Sequence, residues 1–190
     1  MGLNLPNLLT WGRIVLIPLL LVVYYLPEQW IADHGQNVVA TAIFALAAVT
    51  DWLDGYLARS LKQTSKFGAF LDPVADKLMV ATALILLVWL GNVEAFIAAI
   101  IIGREIAISA LREWMAELGE SKNVAVSFVG KLKTTVQMIA ILLLLYNDPI
   151  WLIDTHALGT FLIYIAAILT LWSMLYYLRK ALPQVQDGMK

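Results

Sequence analysis

The sequence predicts an all-α polytopic membrane protein with six transmembrane helices and both termini on the cytoplasmic side. Three observations predict it. Apolar residues make up 61% of the 190-residue chain, against roughly 45–50% in soluble domains, and the mean hydropathy is +0.79. Six predominantly apolar stretches approach the ~20 residues a helix needs to cross the hydrocarbon core. All 13 Lys and Arg residues fall near the termini and loops of one side, the asymmetry that holds a loop in the cytoplasm.

The six stretches are 8–26, 38–58, 72–90, 94–116, 124–146 and 152–178. The first apolar run, Ile14 to Leu26, has no basic segment before it except Arg13 and no small-residue cleavage motif after it, so it is expected to remain as a helix and not to leave as a signal peptide. Turn and polar residues mark the joints: Pro27 to Asn37, Ser60 to Gly68, Gly91-Asn92, Glu117 to Asn123, and Asn147-Asp148-Pro149. Good helix formers at Leu57–Arg59, Glu113–Gly119 and Tyr176–Leu182 let the second, fourth and sixth helices project into water. The predicted outer loops carry Glu28, Asp33, Glu94, Asp148 and Asp154 and no basic residue. Trp30, Trp151, Tyr24, Tyr25 and Tyr146 near the outer ends, and Tyr56, Tyr176 and Tyr177 near the inner ends, read as interfacial anchors. His34 and His156 fall in outer loops and read as surface residues.

With 14% charged residues and no low-complexity linker, a single domain over 1–190 is expected. A net charge of −1 argues against a nucleic-acid partner, which requires a basic face. The absence of cysteine excludes disulfides, thiolate metal sites and thiol nucleophiles.

One stretch does not read as lipid-facing helix: Asp51, Asp54, Gly55, Ala58 and Arg59, followed by Gly68, Asp72 and Asp76. Positions 51, 54, 55, 58 and 59 share one helical face, and 72 and 76 are one turn apart. The short connection between the second and third helices is expected to set the two acidic faces against each other. An unpaired Asp at the bilayer centre costs ~2.5–3.5 kcal/mol, less near the interface. Arg59 and Lys77, the nearest cations in sequence, are too few to balance four clustered carboxylates, so bound divalent cations are expected. Oxygen-only donors favour Mg²⁺ or Mn²⁺ over zinc. Small residues at 55, 58 and 68 leave room for a phosphate-bearing ligand, and Pro73 is expected in the first turn of the third helix. The competing structural reading makes the aspartates helix caps or ion-pair partners, with Asp72 as an N-cap. An ion or proton pathway is the other alternative, though no polar chain crosses the first, fifth or sixth helix.

The string Asp51-x2-Asp54-Gly55-x2-Ala58-Arg59-x8-Gly68-x3-Asp72-x3-Asp76 resembles the full signature of the CDP-alcohol phosphotransferase family, eight fixed positions over 26 residues. The resemblance extends to Asn4-x-Pro6-Asn7-x2-Thr10-x2-Arg13, to Gly103-Arg104-Glu105 through Arg112-Glu113-Trp114, and to Gly130-Lys131-x-Lys133-Thr134. These outer segments are similar to the bacterial branch that joins CDP-diacylglycerol to sn-glycerol 3-phosphate and releases CMP. The resemblance implies that Asp51, Asp54 and Asp72 ligate two metal ions, and that Asp76 is the general base and also reaches the second ion. It implies that Gly55, Ala58, Arg59 and Gly68, with Asn7 in the opening segment, line the CDP-diacylglycerol site. It further implies six transmembrane helices in the bacterial inner membrane, an active site open to the cytoplasm, surrounding membrane lipids and a homodimer.

A glycerol 3-phosphate acceptor is a dianion near neutral pH, so its pocket should be basic. Arg104 and Arg112, eight residues apart, share a helix face, and Lys131 and Lys133 open the fifth helix on opposite faces. These four are the candidates, with an ion pair to Glu105 as the alternative role for Arg104. Relatives with other acceptors take inositol phosphate, serine or a phospholipid, and a basic pocket favours a phosphorylated one. Outside the family, an intramembrane prenyltransferase also uses Asp-rich helices, but its N-D-x-x-D pattern is missing. A divalent-cation transporter is the non-enzymatic alternative.

Overall fold

The computed structural model describes residues 5–60, 66–117 and 128–188. It is all-helical, as expected, with six α-helices: α1 (Leu5–Val22), α2 (Asp33–Ser60), α3 (Lys66–Trp89), α4 (Ala95–Glu117), α5 (Phe128–Tyr146) and α6 (Thr155–Gly188). A single 3₁₀ turn, Val23–Tyr25, extends α1.

The helices alternate in direction. At one end Tyr24 at the close of α1 donates to Asn37 at the start of α2. At the same end the Asn92 side chain donates to the Leu144 carbonyl of α5, and His34 pairs with Asp148 in the α5–α6 turn. The other end therefore gathers the starts of α1, α3 and α5 and the ends of α2, α4 and α6. That end holds the acidic and basic residues.

All six helices contribute to one apolar core, with Leu20, Phe44, Leu84, Ile101, Ile141 and Ile163 at its centre. α1 packs against both α2 and α3 more extensively than those two pack against each other. α5 and α6 approach closely where Gly159 faces Leu144. The α5–α6 turn is tight: Asn147 and Trp151 take positive φ, and Asp154 caps α6 by accepting from the Ala157 N–H at 3.0 Å.

The outside of the bundle is apolar too. Leu8, Trp11, Val15, Leu19 and Val22 are exposed along one stripe of α1, and Phe161, Ile168, Trp172 and Leu175 along α6. Exposed apolar area on this scale marks a lipid-facing surface. Among the described residues three helical stretches are long and apolar enough to cross a membrane: Leu8–Tyr25, Asp33–Asp54 and Thr155–Arg179. In α3 and α4 the apolar run is broken by Asp72, Asp76 and Lys77 and by Arg104, Glu105 and Arg112.

Several expected boundaries shift. α2 begins at Asp33, inside the segment expected as a loop, because an acidic residue favours a helix start and the Gln36 N–H finds the Ala32 carbonyl at 3.0 Å. α3 begins at Lys66, so Pro73 lies inside the helix and Asp72 is not its N-cap. Residues 61–65 and 118–127, which include Lys62, Thr64, Ser65 and Lys122, lie outside the described residues, as do 1–4 and 189–190.

Candidate functional site

α1 supplies the residue that organises the acids. Arg13 is 1% exposed, and an isolated guanidinium that deep demands carboxylate partners. It has three. Nη1 lies 3.0 Å from Asp51 Oδ1 and 3.1 Å from Asp76 Oδ1, and Nη2 lies 2.5 Å from Asp54 Oδ2. One turn earlier on the same face, the Thr10 hydroxyl donates to Asp72 Oδ1. The acidic residues of α2 and α3 therefore converge: Asp51 and Asp76 are within hydrogen-bonding reach of each other, and Arg13 of α1 contacts both. Arg59 and Lys77 are the cations nearest in sequence; among the described residues the cation in contact with the aspartates is Arg13, which the interhelical fold brings close and sequence proximity does not.

Depth differs among the four acids. Asp54 is 4% exposed and lies with Arg13 at the floor, while Asp51 and Asp76 are 43% and 50% exposed at the rim. Among the described residues no three carboxylate or imidazole groups are arranged to hold a metal ion, because the guanidinium stands among them. The donor set still fits a hard divalent cation. All the donors are carboxylate oxygens, both histidines pair at the opposite end of the bundle, and one guanidinium balances only part of the charge of four aspartates.

A second cluster lies beside the first. Arg104 and Lys133 are buried and converge on Glu105: Arg104 Nη1 is 3.5 Å from its Oε1, and Lys133 Nζ donates to the same oxygen. Arg104 Nη2 also donates to Ser173 Oγ at 2.8 Å. Tyr177, fully buried on α6, lies under both arginines, with its ring centroid 6.0 Å from Arg104 Cζ and 5.4 Å from Arg112 Cζ. The Nε atoms of Arg104 and Arg112 have no hydrogen-bond partner among the described residues. Arg104 and Lys133 thus share one carboxylate, with Arg112 beside them on the Tyr177 ring, and the excess positive charge suits an anionic ligand.

Two cavities join the clusters. One, of about 190 Å³, is lined by Asp76, Lys77, Glu105, Thr134 and Gln137 among others. The other, of about 370 Å³, is lined by Lys77, Arg104, Glu105, Ser109 and Arg112 among others. They share Pro73, Lys77 and Glu105. The shared boundary thus runs from the arginines to Asp76.

Other predicted residues are located by helix alone. Asn7 lies in α1, Gly55, Ala58 and Arg59 in the last turns of α2, and Lys131 in the first turn of α5, and their side chains lie outside the described residues. Gly68 is buried near the start of α3. Sequence reasoning did not assign roles to Thr10, Arg13, Gln137 or Ser173; it read Tyr177 as an interfacial anchor, and Glu105 only as the alternative ion-pair partner of Arg104, a pair the structure contains. For Arg13 the available signals were its i+3 spacing from Thr10 and its position at the head of an apolar run.

Comparison with known proteins adds a decisive match. Residues 3–172 match the family described as CDP-alcohol phosphatidyltransferase. The chain belongs to the CDP-alcohol phosphatidyltransferase family. It is a transferase of phospholipid biosynthesis, similar over almost its whole length to CDP-diacylglycerol–glycerol-3-phosphate 3-phosphatidyltransferases. Those of Escherichia coli (strain K12) and Salmonella typhimurium (strain LT2) are each 50% identical to it over 192 residues, covering 98% of this chain and 100% of the relative. That of Shigella flexneri shows the same identity and coverage. In this phosphatidyltransferase the four aspartates of that signature are the acids gathered on Arg13 and Thr10.

Proposed function

We propose that this chain transfers the phosphatidyl group of CDP-diacylglycerol to sn-glycerol 3-phosphate, giving phosphatidylglycerol phosphate and CMP. The observation that carries the reading is the continuity between the four-aspartate cluster and the buried cation pocket, with Asp76 at the junction. The names of the full-length relatives support the same donor and acceptor.

In this reading Asp51, Asp54, Asp72 and Asp76 hold two Mg²⁺ or Mn²⁺ ions, and Gly55, Ala58, Arg59, Gly68 and Asn7 line the donor site. When bound, such ions supply charge neutralisation at the donor diphosphate. Arg104, Arg112, Lys131 and Lys133 receive the acceptor phosphate, a role that unpaired Nε atoms and shared Glu105 charge support. Asp76 at the rim takes the proton of the acceptor hydroxyl. The hydroxyl oxygen forms a bond to the lipid-bearing phosphorus as the bond to CMP breaks, and CMP leaves with the electron pair. Cations in an otherwise apolar interior favour a phosphorylated acceptor over serine.

The same reading makes residues 1–190 one membrane domain with six spans, both termini and the active site facing the cytoplasm of a bacterial inner membrane, and a homodimer as the working unit. Exposed apolar stripes and the one-sided distribution of basic residues support the membrane placement. The experiment is CMP release from CDP-diacylglycerol by the purified protein with Mg²⁺ or Mn²⁺, offering glycerol 3-phosphate, inositol phosphate, serine and a phospholipid in turn. Release with glycerol 3-phosphate is expected; preference for another acceptor overturns the assignment.

A further inference from the structure

Gln137 on α5 is 3% exposed, and its Oε1 has no hydrogen-bond partner among the described residues. Buried amide oxygens are almost always satisfied, so an orphan on a cavity wall points to something that enters the cavity. The cavity is the one of about 190 Å³ that also holds Asp76, Lys77, Glu105 and Thr134. Its neighbours do not meet the need: Lys77, the one charged donor on the wall, makes no hydrogen bond to Oε1. Asp76 and Glu105 are hydrogen-bond acceptors when ionised, and the Thr134 hydroxyl donates to the Gly130 carbonyl at 3.0 Å. What Oε1 lacks is a donor hydrogen within reach, and a hydroxyl entering the cavity brings one.

We propose that Gln137 Oε1 accepts a hydrogen bond from the non-reacting secondary hydroxyl of the acceptor, and so selects a phosphorylated diol over a phosphorylated simple alcohol. The inference rests on the functional reading above and deepens it. With the acceptor phosphate among Arg104 and Arg112 and its primary hydroxyl at Asp76, the neighbouring carbon carries its hydroxyl inside the cavity that Gln137 lines. Without the acceptor, water occupies such a polar cavity. An acceptor lacking that hydroxyl displaces the water and leaves Oε1 buried without a partner, which a site built for a hydroxyl rejects strongly.

The test compares sn-glycerol 3-phosphate with 3-hydroxypropyl phosphate, which keeps the chain length, the phosphate and the primary hydroxyl but lacks the secondary one. CMP release with purified enzyme, CDP-diacylglycerol and Mg²⁺ or Mn²⁺ gives kcat/KM for each. The wild type is expected to favour glycerol 3-phosphate by about 10- to 100-fold. In Gln137→Met, close in volume but without the acceptor oxygen, that ratio should fall toward unity through loss of glycerol 3-phosphate activity alone. Equal use of the two acceptors by the wild type overturns the proposal, whether or not the variant folds, and so does a variant that loses both activities in equal measure. A wild type that releases no CMP with either acceptor overturns the parent functional reading instead.

Discussion

Replacing Arg13 with Met tests the architecture of the acidic cluster directly. The substitution removes the charge and keeps most of the length. Arg13 and Asp54 are both buried, and deleting one member of a buried ion pair costs about 3–5 kcal/mol, because the other charge is left without compensation. Asp51 and Asp76 are about half-exposed, so water screens them and they add little. For a chain of this size the expected fall in Tm is about 6–20 °C, at roughly 2–4 °C per kcal/mol. That fall applies to protein in detergent with EDTA. Divalent ions should reduce it, since a cation held by the same carboxylates replaces the lost charge, and Mn²⁺ should therefore raise the Tm of Arg13→Met more than that of the wild type. Thermal unfolding followed by intrinsic fluorescence with EDTA or Mn²⁺ measures both effects. A Tm in EDTA within about 2 °C of wild type, under 1 kcal/mol on the same scale, refutes the reasoning, as does an equal Mn²⁺ response in the two proteins.

Asp76→Asn should abolish CMP release while leaving CDP-diacylglycerol binding measurable; near-normal turnover removes Asp76 from the base role. Arg112→Ala and Arg104→Ala should each raise the apparent KM for glycerol 3-phosphate more than for the donor, and steady-state kinetics showing the reverse places them outside the acceptor pocket. Gly159→Ala should destabilise the fold by about 1–3 kcal/mol, because a Cβ there would meet Leu144 Cγ at 2.7 Å in a fully buried position; a Tm in detergent equal to wild type refutes this. Reporter fusions at Asn92 and at the C-terminus should report opposite sides of the membrane, and external labelling of both contradicts the six-span arrangement.

Much of the fold is legible because the apolar runs are long and bounded by turn residues. The errors fall where hydropathy and helix geometry part company. Asp33 and Lys66 are polar, so they look like loop, yet a helix continues through water as readily as through lipid when its backbone bonds are made. The acidic string is legible as a cluster because its spacing follows the helical repeat. Its central partner is not, because Arg13 lies 41 residues from Asp54 and 63 from Asp76, and only the packing of α1 on both α2 and α3 brings them together. The cations nearest in sequence, Arg59 and Lys77, do not include it. In the basic cluster the shared face of Arg104 and Arg112 is legible from their separation. The sharing of Glu105 between Arg104 and Lys133 depends on how α4 and α5 meet, and Tyr177 reads as an interfacial anchor until α6 is seen to bury it beneath two guanidiniums.

The dependence of Arg13 on later helices bears on how the chain enters the bilayer. A ribosome delivers α1 first, with its guanidinium still lacking any counter-charge, and Asp51 and Asp54 emerge only after α2 is nearly complete. An unpaired arginine carries an insertion penalty of ~2.5–3.5 kcal/mol at the bilayer centre, and a smaller one nearer the interface where Arg13 lies. The first two helices should accordingly leave the translocon as a pre-paired hairpin, and the third should lock onto it when Asp72 reaches Thr10 and Asp76 reaches Arg13.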